Sequence, residues 1–355
     1  MEKQVEAGNR AMGQSRRGMG KPARRKRPGL ASLILSGLVL TLGLQGCASL
    51  RNPQAVLTEL GPQETLPLAW RISGGAGASL YVVGGIHLGP KGGWAYPPGL
   101  LAALDSSTAV VVEVNVHEMS ADTIQRMVGH YGHLPPGLTL RRSLSPDTWA
   151  LLEKRIRESS IPLPAANRMQ PWLLSNLLIM EAIRRQNYFG DKGTEEAFIR
   201  LAGSRSVIAL ESATQQISFL GMLPRNTQEL YLIDTLKHYD QTGHYLDLYI
   251  NAWRSGDEKA LERLTFENYA DEAFAPFFDT IIFDRSEKMS KQLKVLLDAN
   301  QHTGESVFVV VGVAHMVGHR SIGAILEAQG YEVRRISRSE LRENPAPGEA
   351  IAIHP

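Results

Sequence analysis

The chain of 355 residues holds one cysteine, Cys47, so a thiolate metal site has no set of ligands to draw on. No H-E-x-x-H and no G-x-S-x-G occurs in it, which leaves zincin and nucleophile-elbow hydrolase readings without support. Neither sign of charge dominates, with 38 Lys and Arg against 36 Asp and Glu, and no basic patch argues for nucleic acid. The apolar stretch from Leu30 to Leu44 is too short to span a bilayer comfortably. What is present is the make-up of a globular core: 43% hydrophobic residues, enough for one large domain or two ordinary ones.

The amino-terminal segment is organised differently. Lys21, Arg24, Arg25, Lys26 and Arg27 precede that apolar stretch, and Leu44-Gln45-Gly46-Cys47 follows it, the layout of a secretory signal. The L-x-G-C ending resembles a bacterial lipobox. That resemblance implies removal of residues 1–46 and lipidation of Cys47, with more than one acyl chain as stable membrane anchoring requires; the alternative is an ordinary signal peptide with a chance cysteine. Ala48 in place of Asp implies retention at the outer membrane, facing the periplasm. Met19 gives a signal of more usual length than Met1. Residues 1–46 hold nine Lys/Arg and two Asp/Glu, so the mature chain carries 38 − 9 = 29 basic and 36 − 2 = 34 acidic residues, a net charge near −5.

Residues 47–66 are expected to be a tether. From Leu68 the pattern is that of an α/β domain: a strand at 68–72, a hairpin turn at Ser73-Gly74-Gly75-Ala76-Gly77, a strand at 80–84, a helix from Tyr96-Pro97-Pro98 to Leu104, and a strand at 109–114. Together these make a βαβ unit. Between about 120 and 285 the periodicity is helical, with Ser145-Pro146-Asp147 and Pro171-Trp172 opening two helices and a strand at 207–210 set among them. A helix at 285–299, a strand at 307–311, a helix at 321–329 and a strand at 332–336 complete the domain. The expected fold is two βαβ-type halves forming a central sheet with helical insertions, over residues 67–337. Residues 338–355 are a tail, poorly ordered from about 343.

The feature that points to chemistry is a repeat. Ser79 to Gly89 (S-L-Y-V-V-G-G-I-H-L-G) and Val307 to Gly318 (V-F-V-V-V-G-V-A-H-M-V-G) are each a strand-length run ending in G-x-x-H, which matches Gly84 and His87 with Gly312 and His315. Two further apolar runs end in carboxylates, Glu113 and Glu211. Open α/β sheets place ligands at such carboxyl edges. Imidazole and carboxylate together suit a divalent first-row metal ion (Mn, Co, Fe or Zn), with a remaining carboxylate as general base. Glu113 follows three valines, where a charge has little reason to exist without a partner. A single G-x-x-H is weak, since a histidine after a strand also caps helices, and Glu211 could equally cap a helix starting near Thr214. His130, His133 and His319 are expected at the surface, and Trp172, Leu173 and Leu177 in the core.

These motifs, with L-P-P-G-L-T-L followed by L-S-P-D-T-W, then M-Q-P-W-L-L, A-L-E-S-A-T-Q-Q, Asp284-Arg285-Ser286 at a helix start and a late Gly330-Tyr331, resemble the TraB/PrgY/GumN family over about residues 67–337. That family is similar to the animal Tiki Wnt-inactivating proteases and, more remotely, to erythromycin esterase and ChaN-like proteins. The resemblance implies a metal-dependent hydrolase using His87, Glu113, Glu211 and His315, with Arg285 as a substrate or transition-state contact. The chain departs from it twice: Arg285-Ser286 stands where members usually have Arg-Asn, and Gly193-Thr194-Glu195 where they have Gly-x-Asp.

The function expected from the sequence is hydrolysis of peptide or related amide or ester bonds in the cell envelope, with Glu113 and Arg285 catalytic and a peptide or small molecule as substrate. A non-catalytic lipoprotein that binds a peptide signal or haem in the same cleft is the main alternative. An accessory factor in polysaccharide export is another.

Overall fold

The computed structural model describes residues 60–74, 77–118 and 120–343. The expected signal, Cys47, most of the expected tether and the tail beyond 343 lie outside them. Among the described residues no helix is long and apolar enough to cross a membrane.

The segments expected as strands form them, built on the β-branched and aromatic residues that strands favour. These are β1 (Ala69–Ser73), β2 (Ser79–Gly85), β3 (Ser107–Val114), β4 (Ser206–Glu211), β5 (Ser306–Gly312) and β6 (Glu332–Arg335). They join in one six-stranded sheet in the order β4-β3-β5-β2-β1-β6. β4, β3, β5 and β2 run parallel to one another, while β1 is antiparallel to both β2 and β6.

The main helices are α1 (Pro98–Asp105), α2 (Ala121–Tyr131), α3 (Pro146–Arg157), α4 (Pro171–Arg185), α5 (Thr194–Leu201), α6 (Ala213–Gly221), α7 (Arg225–His238), α8 (Thr242–Arg254), α9 (Glu258–Phe266), α10 (Asp284–Asn300) and α11 (Ile322–Glu327). The Ser145 side chain caps α3 by accepting from Thr148 N, with proline inside the first turn, as the sequence leads one to expect.

Both faces of the sheet are covered, which is why its central strands are apolar almost throughout rather than alternating. Tyr81, Val83, Val110, Val112, Phe308 and Val310 pack with residues of α1 and α5, including Leu100 and Phe198. The intervening Val82, Val111, Val309 and Val311 face the helical insertion, with Trp172, Trp253 and Phe277 in the same cluster.

The two βαβ-type halves form one central sheet, as expected. They interleave in it: β5 lies between β2 and β3, so β2-α1-β3 and β5-α11-β6 share the sheet. The limits of the domain differ from the expectation: Thr65 and Leu66, at the end of the expected tether, are each 2% exposed and bond to Ala95 and Arg254, and the expected tail begins with a helix, Arg338–Arg342, whose Leu341 is buried.

Candidate functional site

The carboxyl edge of β2, β3, β4 and β5 brings together all four residues of the His, Glu, Glu, His series. Glu113 is the penultimate residue of β3 and Glu211 the last of β4. His87 follows β2, and His315 closes a single 3₁₀ turn, Val313–His315, after β5. The two G-x-x-H motifs are not in equivalent settings, because the register sets Gly85, not Gly84, beside Gly312. Gly84 accommodates the side chain of Val313, whose Cγ2 would lie 2.8 Å from a Cβ there. Gly312 lies beneath the functional groups. A Cβ on it would be 3.2 Å from Glu113 Oε2, 3.4 Å from His87 Nε2 and 3.6 Å from His315 Cδ2.

Those atoms converge on one small space. Glu113 Oε2 is 3.8 Å from His87 Nε2 and 3.9 Å from His315 Nε2. It accepts a hydrogen bond from Gly312 N at 2.9 Å. His87 Nε2 is buried with no hydrogen-bond partner among the described residues.

Arg285 is the hub beneath this space. The π-helical turn Asp279–Phe283 leads directly into α10, a local widening of the kind found at functional sites, and it delivers Arg285 and Ser286 inward. Arg285 Nη2 bonds Glu113 Oε1 and Glu211 Oε2, the latter at 2.7 Å. Its Nε lies 3.1 and 3.0 Å from the two Glu211 oxygens, and its Nη1 donates to Ile281 O at 2.9 Å. Gln216 Nε2 donates to Glu113 Oε1 at 2.9 Å and to Glu211 Oε2 at 3.2 Å.

This corrects two expectations. Arg285 is 1% exposed and all three of its nitrogens are engaged, so it is the internal counter-ion of the carboxylates rather than a contact for substrate. Glu211 does not cap the following helix: Ser212 does, in a capping box with Gln215. Both Glu211 oxygens instead hold the guanidinium, which leaves Glu113 as the carboxylate that faces the histidines.

Glu195, which the sequence marks only as a departure from Gly-x-Asp, completes the cluster. Its Oε2 is 2.8 Å from His87 Nδ1. Its Oε1 accepts from Glu113 N at 2.8 Å and Val114 N at 3.3 Å. The segment before it is pinned to the backbone of the first histidine loop: Thr194 N donates to Ile86 O at 2.8 Å, and Thr194 Oγ1 accepts from Ile86 N at 3.0 Å. Gly193 packs so closely that a Cβ would lie 2.6 Å from the carbonyl carbon of His87. Ser286 plays the matching part for the other histidine, with Oγ 2.9 Å from His315 Nδ1. His130, His133 and His319 are exposed, as expected.

The electrostatics are those of a crowded, enclosed site. Burial by itself would raise the Glu113 carboxyl, but Arg285 first, then His315 and His87, outweigh it and hold Glu113 well below the usual carboxylate range. Such a group is a poor general base. Burial dominates at His315 and pushes it down to about 3, a neutral imidazole at neutral pH. Burial also lowers His87, yet the charge and hydrogen bond of Glu195 outweigh it and the net shift is upward. Glu195 is raised, chiefly by burial. Three carboxylates, Glu113, Glu195 and Glu211, are enclosed with a single guanidinium, each no more than 7% exposed. Buried charge of one sign in excess calls for protonation or a cation.

The residues fit a metal ion on donor chemistry: two imidazole nitrogens and one carboxylate oxygen face a space that a single methyl group would fill. Among the described residues no three His, Cys, Asp or Glu side chains are drawn in to metal-ligand spacing. Two ligands of a tetrahedral ion stand about 3.4 Å apart at ordinary bond lengths, against the 3.8 and 3.9 Å from Glu113 Oε2 to the two imidazole nitrogens here.

Comparison with known proteins places the chain in a family. The profile of the TraB/PrgY/gumN family matches residues 68–335, and the chain belongs to that family. No curated protein and no solved structure matches it.

Proposed function

We propose that this member of the TraB/PrgY/gumN family is a metal-dependent hydrolase, acting on peptide or related amide or ester bonds at the cell envelope. His87, Glu113 and His315 would hold a divalent first-row ion. The observation that supports this most is the convergence of His87 Nε2, His315 Nε2 and Glu113 Oε2 over Gly312.

A bound ion of this kind lowers the pKa of water toward ~7 and polarises a carbonyl oxygen. The chain's own residues do the rest. His315 is held neutral by burial, so its imidazole is available as a donor without first losing a proton. Arg285 and Gln216 neutralise and orient Glu113 from behind, which keeps its Oε2 turned to the histidines. The apolar sheet and insertion exclude bulk water around the cluster, which strengthens each polar interaction within it. Glu113 serves as a ligand here rather than as the base expected from the sequence.

A second reading rests on a different feature of the same residues. His87 keeps 11% of its side chain exposed and is oriented by Glu195 at 2.8 Å, the relation of a general base to its orienting carboxylate. In that reading His87 Nε2 takes the proton of an attacking water and no ion is needed.

Metal analysis of protein purified without chelator, with cleavage of a peptide library read by mass spectrometry, tests the proposal. The expected result is about one ion per chain, and cleavage that is lost in His87→Ala and His315→Ala. Failure of the protein to take up any first-row divalent ion would overturn it.

A further inference from the structure

Each of the two facing histidines has its other ring nitrogen held by a residue that carries no ligand role, and the two holders differ in kind. We propose that Glu195 and Ser286 are positioning residues that fix His87 and His315 in the tautomer protonated at Nδ1, so that both Nε2 lone pairs face Glu113 Oε2 above Gly312. The inference deepens the metal-site reading, on which it rests only for what the lone pairs hold.

The hydrogen-bond inventory supports this arrangement. Glu195 Oε1 receives two backbone N–H groups, from Glu113 and Val114, so it is an acceptor. A carboxylate then offers only another acceptor, Oε2, to His87 Nδ1 at 2.8 Å. Nδ1 donates to the ionised carboxylate, and in the neutral ring Nε2 is left with a lone pair. The placement is enforced through the backbone, because Thr194 is bonded twice to Ile86, the residue before His87.

Ser286 reaches the same result differently. Its single hydroxyl hydrogen goes to Ile282 O at 2.9 Å, one turn back in the helix. The oxygen is left to accept from His315 Nδ1 at 2.9 Å. A carboxylate partner makes an imidazole a stronger donor to a metal than a neutral hydroxyl does, so the two histidines are unequal ligands.

Glu195→Gln separates the proposal from a merely structural role. The two backbone N–H groups claim the amide oxygen, the NH₂ group turns to His87 Nδ1, and the ring is forced to carry its proton on Nε2. Glu195→Asp keeps the carboxylate.

The tautomers are read in metal-free, ¹⁵N-labelled protein at neutral pH by long-range nitrogen–proton correlation, assigned with single His→Gln variants. Wild type is expected to show unprotonated Nε2 at both His87 and His315. Glu195→Gln should invert His87 alone, Ser286→Ala should give His315 mixed tautomers, and Glu195→Asp should restore the wild-type pattern. Titration with Co²⁺ or Mn²⁺ should show affinity falling about 10- to 100-fold in Glu195→Gln, with recovery in Glu195→Asp.

Protonated Nε2 in wild type, or an unchanged His87 tautomer in folded Glu195→Gln, would overturn the assignment. If Glu195→Gln fails to fold, the wild-type spectrum and Ser286→Ala decide it. The expected tautomers in a protein that binds no ion would sustain the positioning roles while removing the metal reading.

Discussion

Arg285 and Glu113 form an ion pair in the interior of the protein, although 172 positions separate them in the chain. Arg285 is 1% and Glu113 0% exposed. Burial opposes both charges, and each is held charged by the other. Arg285 also bonds Glu211, so one guanidinium joins the ends of β3 and β4 to the first turn of α10. A site residue with this geometry acts first on stability.

Arg285→Met is therefore expected to destabilise the fold strongly. Leaving two buried carboxylates without their cation costs about 3–5 kcal/mol, a drop in melting temperature on the order of 10 °C. Arg285→Lys should recover only part, since an ammonium cannot span both carboxylates as the planar fork does. Thermal and urea melts check this. A substrate-contacting arginine would instead lose turnover at unchanged stability.

The sequence reveals the histidines and glutamates at the strand ends more fully than the residues that support them, for a physical reason. His87, His315, Glu113 and Glu211 each follow an apolar run of strand length, and a charged or imidazole group after such a run is conspicuous. Glu195 and Ser286 sit at helix starts, where acidic and hydroxyl residues are common as caps, so neither stands out. Arg285 shows in the pattern but its role does not, because burial and a three-way ion pair depend on how α10 crosses the sheet edge. The strand list is likewise legible while strand order is not. Nothing local tells β5 to insert between β2 and β3, and that insertion is what makes the two G-x-x-H motifs neighbours one residue out of register.

Removal of metal should distinguish the two catalytic readings. With a chelator present, cleavage by wild type is expected to stop, and addition of a single first-row divalent ion to restore it. Cleavage that continues in chelator and is lost in Glu195→Gln would favour His87 as a metal-free general base.

The proposed envelope location depends on Cys47, which lies outside the described residues. Cys47→Ser is expected to leave a precursor that is neither cut nor lipidated, because the thiol is the acyl acceptor. Metabolic labelling with a fatty acid checks this, and equal labelling of the variant would remove the anchor from the proposal.

The two motif glycines should respond differently to the same methyl group. At Gly84 a Cβ would lie 2.8 Å from Val313 Cγ2 and 3.3 Å from Val313 Cα, so Gly84→Ala overpacks the junction of β2 and β5, at a cost of about 1–3 kcal/mol. At Gly312 the nearest atom is 3.2 Å away and belongs to the Glu113 carboxylate. The carboxylate must give by a few tenths of an ångström, so Gly312→Ala should fold at a smaller cost than Gly84→Ala, and its methyl group occupies the space between Glu113 Oε2 and His87 Nε2. Metal content measured after dialysis is expected to fall at least tenfold in Gly312→Ala and much less in Gly84→Ala. Equal metal content in folded Gly312→Ala and wild type would place the ion elsewhere, and the convergence of the three donor atoms would then have no metal to explain.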